Sequence, residues 1–334
     1  MDAQMTRQLG RSGISVSAIG LGCWAIGGLL WEGETPVGWG VVDDEESIRA
    51  IQRGLELGIN FFDTADVYGA GHSERVLARA FAGKRDQVVI ATKFGKVFDE
   101  ATRQLTSSDA SPEYIRQACE ASLRRLNTDY IDLYQFHLND YSLDQAGEVR
   151  ETLEALVAEG KIRSYGWSTD YPERARFFAE GEHCIAIQHS MNVLEDKPEM
   201  VEVCETLNLA SVNRGPLAMG LLTGKYTANS NAMPLDDVRS ERSPEWLTYF
   251  KDGKANPDWL KQLEAVRDIL TSGGRTLAQG ALAWLWARTE QTVPIPGFRT
   301  VAQIEENAGA LALGALTAEQ MGEIDKVLGR QPVG

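Results

Sequence analysis

From Ile19 onward, short apolar runs rich in β-branched and aromatic residues alternate with longer runs whose apolar residues recur at helical spacing. Strand-like segments lie at Ile19 to Gly22, Phe61 to Asp63, Val88 to Thr92, Tyr130 to Phe136, Ile162 to Trp167, Cys184 to Gln188, Leu209 to Val212 and Thr292 to Ile295. Between them, Glu45 to Leu57 carries Ile48, Ile51 and Leu55 on one face, and Ser73 to Phe81 repeats the pattern. Ser111-Pro112-Glu113 starts a helix to about Leu126, and further helices are expected at 143–159, after Pro172, after Pro198, and at 259–270, 276–287 and 301–308. Strict alternation means parallel strands joined by crossover helices, and eight such units close an α/β barrel of the (β/α)8 type. Thr6 to Gly10 and Ile14 to Leu21, flanking Arg11-Ser12-Gly13, add an N-terminal β-hairpin, and Thr317 to Leu328 adds a helix at the other end. An open doubly wound sheet is the rival architecture. Against it, Gly20-Leu21-Gly22-Cys23-Trp24 puts an indole where a G-x-G-x-x-G turn would leave room for phosphates. Gly215 to Pro257 reads as a long loop over one face, because the rhythm resumes beyond it, and the expectation is a single domain over 1–334.

In such a barrel, ligands are handled at the carboxyl ends of the strands. Asp63 and Tyr68 follow the second strand, Lys93 ends the third, and His137 ends the fourth. Singly, each has a structural reading: Asp63 as a cap, Tyr68 as a loop aromatic, Lys93 as a solvated charge, His137 as a core histidine. Their occurrence at successive strand ends favours chemistry. A phenol, with a free pKa of about 10, donates a proton near neutrality only with help from a cation. Lys93 held between Asp63 and Tyr68 is expected to favour phenolate, and a two-unit lowering would correspond to about 2.7 kcal/mol.

The balance of 33 basic against 48 acidic residues, net −15, disfavours nucleic acid or an anionic membrane as the main partner. Cys23, Cys119, Cys184 and Cys204 are widely separated, without metal or disulfide spacing. Met1 to Gly10 lacks the pattern of a signal peptide, and no apolar run reaches the ~20 residues that span a bilayer, so a cytoplasmic protein is expected.

The motifs GLGCWAIGG, FFDTADVYG, ATKFG, DLYQFH, GWSTD, GPLAMGLLTGKY and IPGFRTVAQIEEN stand in an order and spacing that resemble the aldo-keto reductase superfamily, from about Thr6 to Asn307. The resemblance implies a TIM barrel, reversible carbonyl reduction with NADPH/NADP+, and a small carbonyl compound as the substrate. It places the proton donor at Tyr68, with Lys93, Asp63 and His137 as partners. It assigns the nicotinamide carboxamide to Ser168, Thr169 and Gln188, where the family usually has Asn in place of Thr169. Arg214 falls where many relatives put an aromatic ring beneath the nicotinamide, and a guanidinium plane can also stack. Gly22, Cys23 and Trp24 would border the cofactor. Gly215, Pro216, Leu217, Leu221 and Lys225 would follow its pyrophosphate. Arg299 and Gln303 would grip the 2′-phosphate at a helix amino terminus, with Gly297, Phe298 and Thr300 bordering the cofactor there and Glu306 and Asn307 at adenine. Trp24, Trp31 and Trp39 are candidate apolar walls for the substrate. Some relatives of this fold keep the cofactor and the four residues yet act as auxiliary potassium-channel subunits with little turnover. That is the alternative reading, and neither it nor the oligomeric state is decided by the sequence.

Overall fold

The computed structural model describes residues 5–330, so the outermost four residues at each end of the 1–334 span, including the start of the Met1 to Gly10 stretch, lie outside it. Its centre is one sheet of eight parallel strands in chain order: β1 (Leu21–Gly22), β2 (Phe61–Asp63), β3 (Val89–Phe94), β4 (Leu133–Phe136), β5 (Tyr165–Ser168), β6 (Cys184–Ser190), β7 (Ala210–Arg214) and β8 (Thr292–Pro294). The sheet closes on itself. The amides of Gly20 and Gly22 donate to the carbonyls of Pro294 and Pro296 at 2.9 and 3.0 Å, and Gly22 pairs with Gly297. The (β/α)8 TIM barrel expected from the alternation is what forms.

Around it run α1 (Asp44–Glu56), α2 (His72–Ala80), α3 (Pro112–Leu126), α4 (Leu143–Ala158), α5 (Pro172–Phe178), α6 (Pro198–Thr206), α7 (Pro257–Thr271), α8 (Leu277–Arg288), α9 (Val301–Leu313) and α10 (Ala318–Val327). Their starts follow local chemistry. The Asp43 and Ser111 side chains accept from the amides of Glu46 and Tyr114, while Thr276 and Gln279 form a capping box. α9 runs beyond the expected Ala308 because Ala310, Leu311 and Leu313 favour the helix and Ala310 is buried.

Two apolar layers follow from the period of two along a strand. Phe61, Val89, Ala91, Leu133, Ala186, Ala210, Val212 and Val293 fill the barrel interior, whereas Phe62, Ile90, Phe94, Tyr134 and Ile187 meet the helices. A hairpin of Thr6–Gln8 and Ser15–Ser17 stoppers the amino-terminal end, contributing Leu9 and Val16 to the interior cluster. Arg11 locks it there by donating to the carbonyls of Cys184, Ala179 and Gly181.

β4 is shorter than the expected Tyr130 to Phe136. Asp132 takes the amide of Ile90 at 2.9 Å and pairs with Arg85 and Arg163, which leaves Ile131 and Ile162 as an isolated bridge. Lys93 lies inside β3 rather than past its end. At the carboxyl-terminal mouth, segments after β1 and β3 build a four-stranded sheet, in the order Thr35–Pro36, Trp31–Glu32, Gln104–Ser108, Lys96–Asp99. The stretch expected as a plain loop from Gly215 to Pro257 contains a 3-10 segment, Ala218–Thr223, and a small hairpin of Phe250–Lys251 and Lys254–Ala255. Among the described residues no helix is long and apolar enough to cross a membrane.

Candidate active site

The inward-facing positions of β2, β3, β4 and β6 are apolar near the stopper and turn polar one step before the mouth. Phe61 gives way to Asp63, Ala91 to Lys93, Leu133 to Gln135 and Ala186 to Gln188. Register makes this a ring, with Gln135 opposite Lys93 and Asp63 opposite Ala91. Lys93 Nζ donates to Asp63 Oδ2 at 2.6 Å, to the Thr64 carbonyl at 2.8 Å and to the Tyr68 hydroxyl at 3.1 Å. Asp63 Oδ1 accepts from the amides of Gln135 at 2.9 Å and Gln188 at 2.7 Å. Lys93 has no exposed surface and Asp63 only 2%. A buried ion pair of this kind is held because every polar atom has a partner.

Tyr68 is presented by the turn leaving β2. Gly69 there has φ 61°, and a Cβ on it would meet the Gly27 carbonyl oxygen at 1.8 Å, so that turn admits only glycine. The Tyr68 ring stands 6.0 Å from His137, edge to face, and 6.0 Å from Trp24, stacked. Asp63, Tyr68 and Lys93 are thus joined by hydrogen bonds, with His137 against the phenol.

The electrostatics correct one expectation. The Tyr68 pKa is raised, not lowered: burial of the phenol dominates and Asp63 adds to it, and together they outweigh the opposing charge of Lys93. On Lys93 the desolvation that would lower its pKa is overcome by Asp63 and Tyr68, so it too is raised and stays charged. His137 is held well below the ordinary range by burial and then by Lys93, Lys96 and Arg214, so its ring is neutral. Its Nδ1 is buried without a partner among the described residues.

Residues expected at a cofactor divide into two groups. Ser168 and Gln188 are register partners on β5 and β6, both buried, beside Thr169. Two of these three are already engaged: the Gln188 amide donates to Asp63, and the Thr169 hydroxyl donates to the Asn139 carbonyl at 2.6 Å. Arg214, half-buried at the end of β7, pairs with Asp170, and its Nε is buried without a partner among the described residues. A Cβ on Gly215 would meet only the Ser190 hydroxyl, at 3.9 Å, and one on Gly297 only the Gly22 carbonyl, at 3.9 Å, so the backbone at both is open. Pro216, Leu217 and Leu221 are buried, and Lys225 is exposed with its ammonium 5.0 Å from the Tyr226 ring. Gly22 and Cys23 are buried at the closing seam, where the Cys23 amide donates to the Asp63 carbonyl.

At the other end the chain satisfies its own groups. The Arg299 guanidinium donates to the carbonyls of Trp39, at 3.1 Å, and Val41, while its amide donates to Gln303 Oε1 at 2.7 Å. Thr300 caps α9, and Glu46 accepts from the Val301 amide at 3.0 Å, so a carboxylate already sits at the helix start. Phe298 and Asn307 are buried and Glu306 is half-buried. Trp24 and Trp39 meet edge to face at 5.4 Å, whereas Trp31 lies in the mouth sheet and, among the described residues, makes no ring contact with them.

Three residues of the site escaped the sequence reading. Gln135 was legible as a polar residue at an inward position of an apolar strand, and Asp170 as the last residue of GWSTD. Trp246 had no signal. Its ring lies 6.2 Å from that of Trp24, brought there by the long segment after β7.

A family model described as the aldo/keto reductase family matches residues 18–328. Among curated proteins, a probable aldo-keto reductase from Glycine max is 33% identical over 313 residues, 92% of this chain and 84% of its own length. Among solved structures, a glycerol dehydrogenase from Gluconobacter oxydans has a TM-score of 0.82 at 30% identity, covering 99% of this chain and 98% of its own. An aldo-keto reductase from Klebsiella pneumoniae in complex with NADPH has a TM-score of 0.69 at 26% identity, covering 98% of this chain and 96% of its own.

Proposed function

Because the chain belongs to the aldo/keto reductase family of oxidoreductases, we propose that it reduces an aldehyde or ketone to the alcohol with NADPH, and that Tyr68 supplies the proton. The observation that carries this reading is the lysine shared by two groups: Lys93 Nζ bonds both Asp63 Oδ2 and the Tyr68 hydroxyl. A dinucleotide held at the mouth would supply the hydride. As negative charge grows on the carbonyl oxygen, the phenol, still protonated because its pKa is raised, transfers its proton. Lys93, kept charged by Asp63, stabilises the phenolate left behind. Gln135 and Gln188 hold Asp63 in place, so its carboxylate is not free to compete for that proton. Neutral His137 orients the substrate oxygen without adding a second charge.

Open backbone at Gly215 and Gly297 and the unpartnered Arg214 Nε fit a dinucleotide along the mouth. Ser168, Gln188 and Arg214 would hold the nicotinamide end, and Gly215 to Lys225 the pyrophosphate. At the 2′-phosphate end two of the five N–H donors of Arg299 are held by the carbonyls of Trp39 and Val41, which leaves the others for a phosphate. Residues from four strands meet at Asp63, so we propose that the chain works as one unit.

Tyr68→Phe tests the reading. Turnover of an activated aromatic aldehyde is expected to fall by about 10²–10⁴, the usual share of a general acid, while quenching of NADPH fluorescence on binding is retained. Full activity in that variant overturns the assignment of the donor. Wild-type protein that binds NADPH but reduces nothing would favour the regulatory alternative.

A further inference from the structure

Trp246 is 61% exposed, yet its ring is tilted only 36° from that of Trp24, which in turn stacks on Tyr68 at 26°. Seen from the phenol, three rings follow one another, Tyr68, half-buried Trp24 and then Trp246, and the outermost is the most exposed. The position is built rather than incidental. Leu247, Tyr249 and Phe250, just beyond it, are buried, and the Tyr249 hydroxyl bonds Glu195 and accepts from Asn192 at 2.7 Å. Trp24 is fixed by its Nε1 bond to the Val37 carbonyl and by the edge of Trp39. Trp39 lies under the Arg239 guanidinium, 4.5 Å away, and Arg239 is itself paired with buried Asp237. A held aromatic wall therefore ends in an indole offered to solvent, one ring removed from the reacting phenol.

We infer that Trp246 is a specificity-determining residue: it receives the planar apolar part of the substrate, and so selects aryl aldehydes and aryl ketones over small polar carbonyl compounds. This rests on the carbonyl-reductase reading above and adds a substrate class to it. An aryl group stacked on Trp246 covers an exposed apolar face and gains the ring-on-ring term, whereas a triose-sized aldehyde reaches Tyr68 without touching it. The contact is made before and during reaction alike, so it acts on KM and leaves kcat nearly unchanged.

The test compares 4-nitrobenzaldehyde with glyceraldehyde in wild type, Trp246→Ala and Trp246→Phe, at saturating NADPH. In Trp246→Ala, KM for the aromatic aldehyde is expected to rise about tenfold with kcat within about twofold, and KM for glyceraldehyde to stay within about twofold. Trp246→Phe should recover most of the aromatic preference, and NADPH affinity should be the same in all three proteins. Equal changes for both aldehydes, or a loss in kcat alone, overturn the inference while leaving the reductase reading intact. A wild-type protein that turns over neither aldehyde overturns both.

Discussion

Replacing Lys93 by Met tests the argument at its base, independently of any activity. The substitution removes a charge with no exposed surface and all three of its hydrogen bonds, to Asp63, Thr64 and Tyr68. It leaves the Asp63 carboxylate buried, but still with two amide donors, Gln135 at 2.9 Å and Gln188 at 2.7 Å. Breaking one side of a buried pair typically costs about 3–5 kcal/mol, and those two amides place this case near the lower figure. With a urea slope of about 3 kcal/mol/M, the midpoint should fall by about 1 M. Urea unfolding followed by tryptophan fluorescence at pH 7 measures this. Adding Asp63→Asn to Lys93→Met removes the stranded charge, and the double variant should regain at least half of the loss. A midpoint for Lys93→Met within about 0.2 M of wild type, or a double variant showing simple addition of the two single losses, would refute the account of the pair.

Other expectations follow from single contacts. Gly69→Ala sets a Cβ 1.8 Å from the Gly27 carbonyl oxygen, so the turn must shift Tyr68; kcat should drop on the order of 100-fold, and an unchanged kcat means the phenol is not the donor. Arg299→Ala is expected to weaken NADPH about 10- to 100-fold by titration and NADH far less, since charged hydrogen bonds are lost only with the former; equal losses move the 2′-phosphate contact elsewhere. His189 is fully buried and its pKa is lowered to about 4, chiefly by burial. The unfolded chain then takes up the proton first as pH falls below about 6.5, so stability is lost between about pH 6.5 and 4, by up to ~3 kcal/mol. Unfolding curves at pH 7 and 4.5 for wild type and His189→Gln should show this extra loss only in wild type.

What the sequence discloses here depends on whether a residue's role is local. The eight-fold alternation, the helix start at Ser111 and the hairpin around Arg11-Ser12-Gly13 are set by neighbours a few positions away, and all appear in the structure. Asp63, Tyr68 and Lys93 were legible because strand ends in a parallel barrel converge by topology. Contacts between distant loops were not. Nothing local says that Arg299 reaches back to Trp39 and Val41, or that Trp246 travels to Trp24. The Tyr68 pKa failed for a related reason: spacing places a lysine nearby but says nothing of how deeply the phenol is buried, and burial won.

Asp63 gathers partners from β3, β4 and β6 onto a residue of β2, so a single carboxyl group rivets half the circumference of the barrel. Fraying the stave that carries Asp63 would free all three partners at once. The slowest amide protons to exchange with heavy water should therefore cluster at this polar ring, near the open rim where a barrel would otherwise breathe most freely.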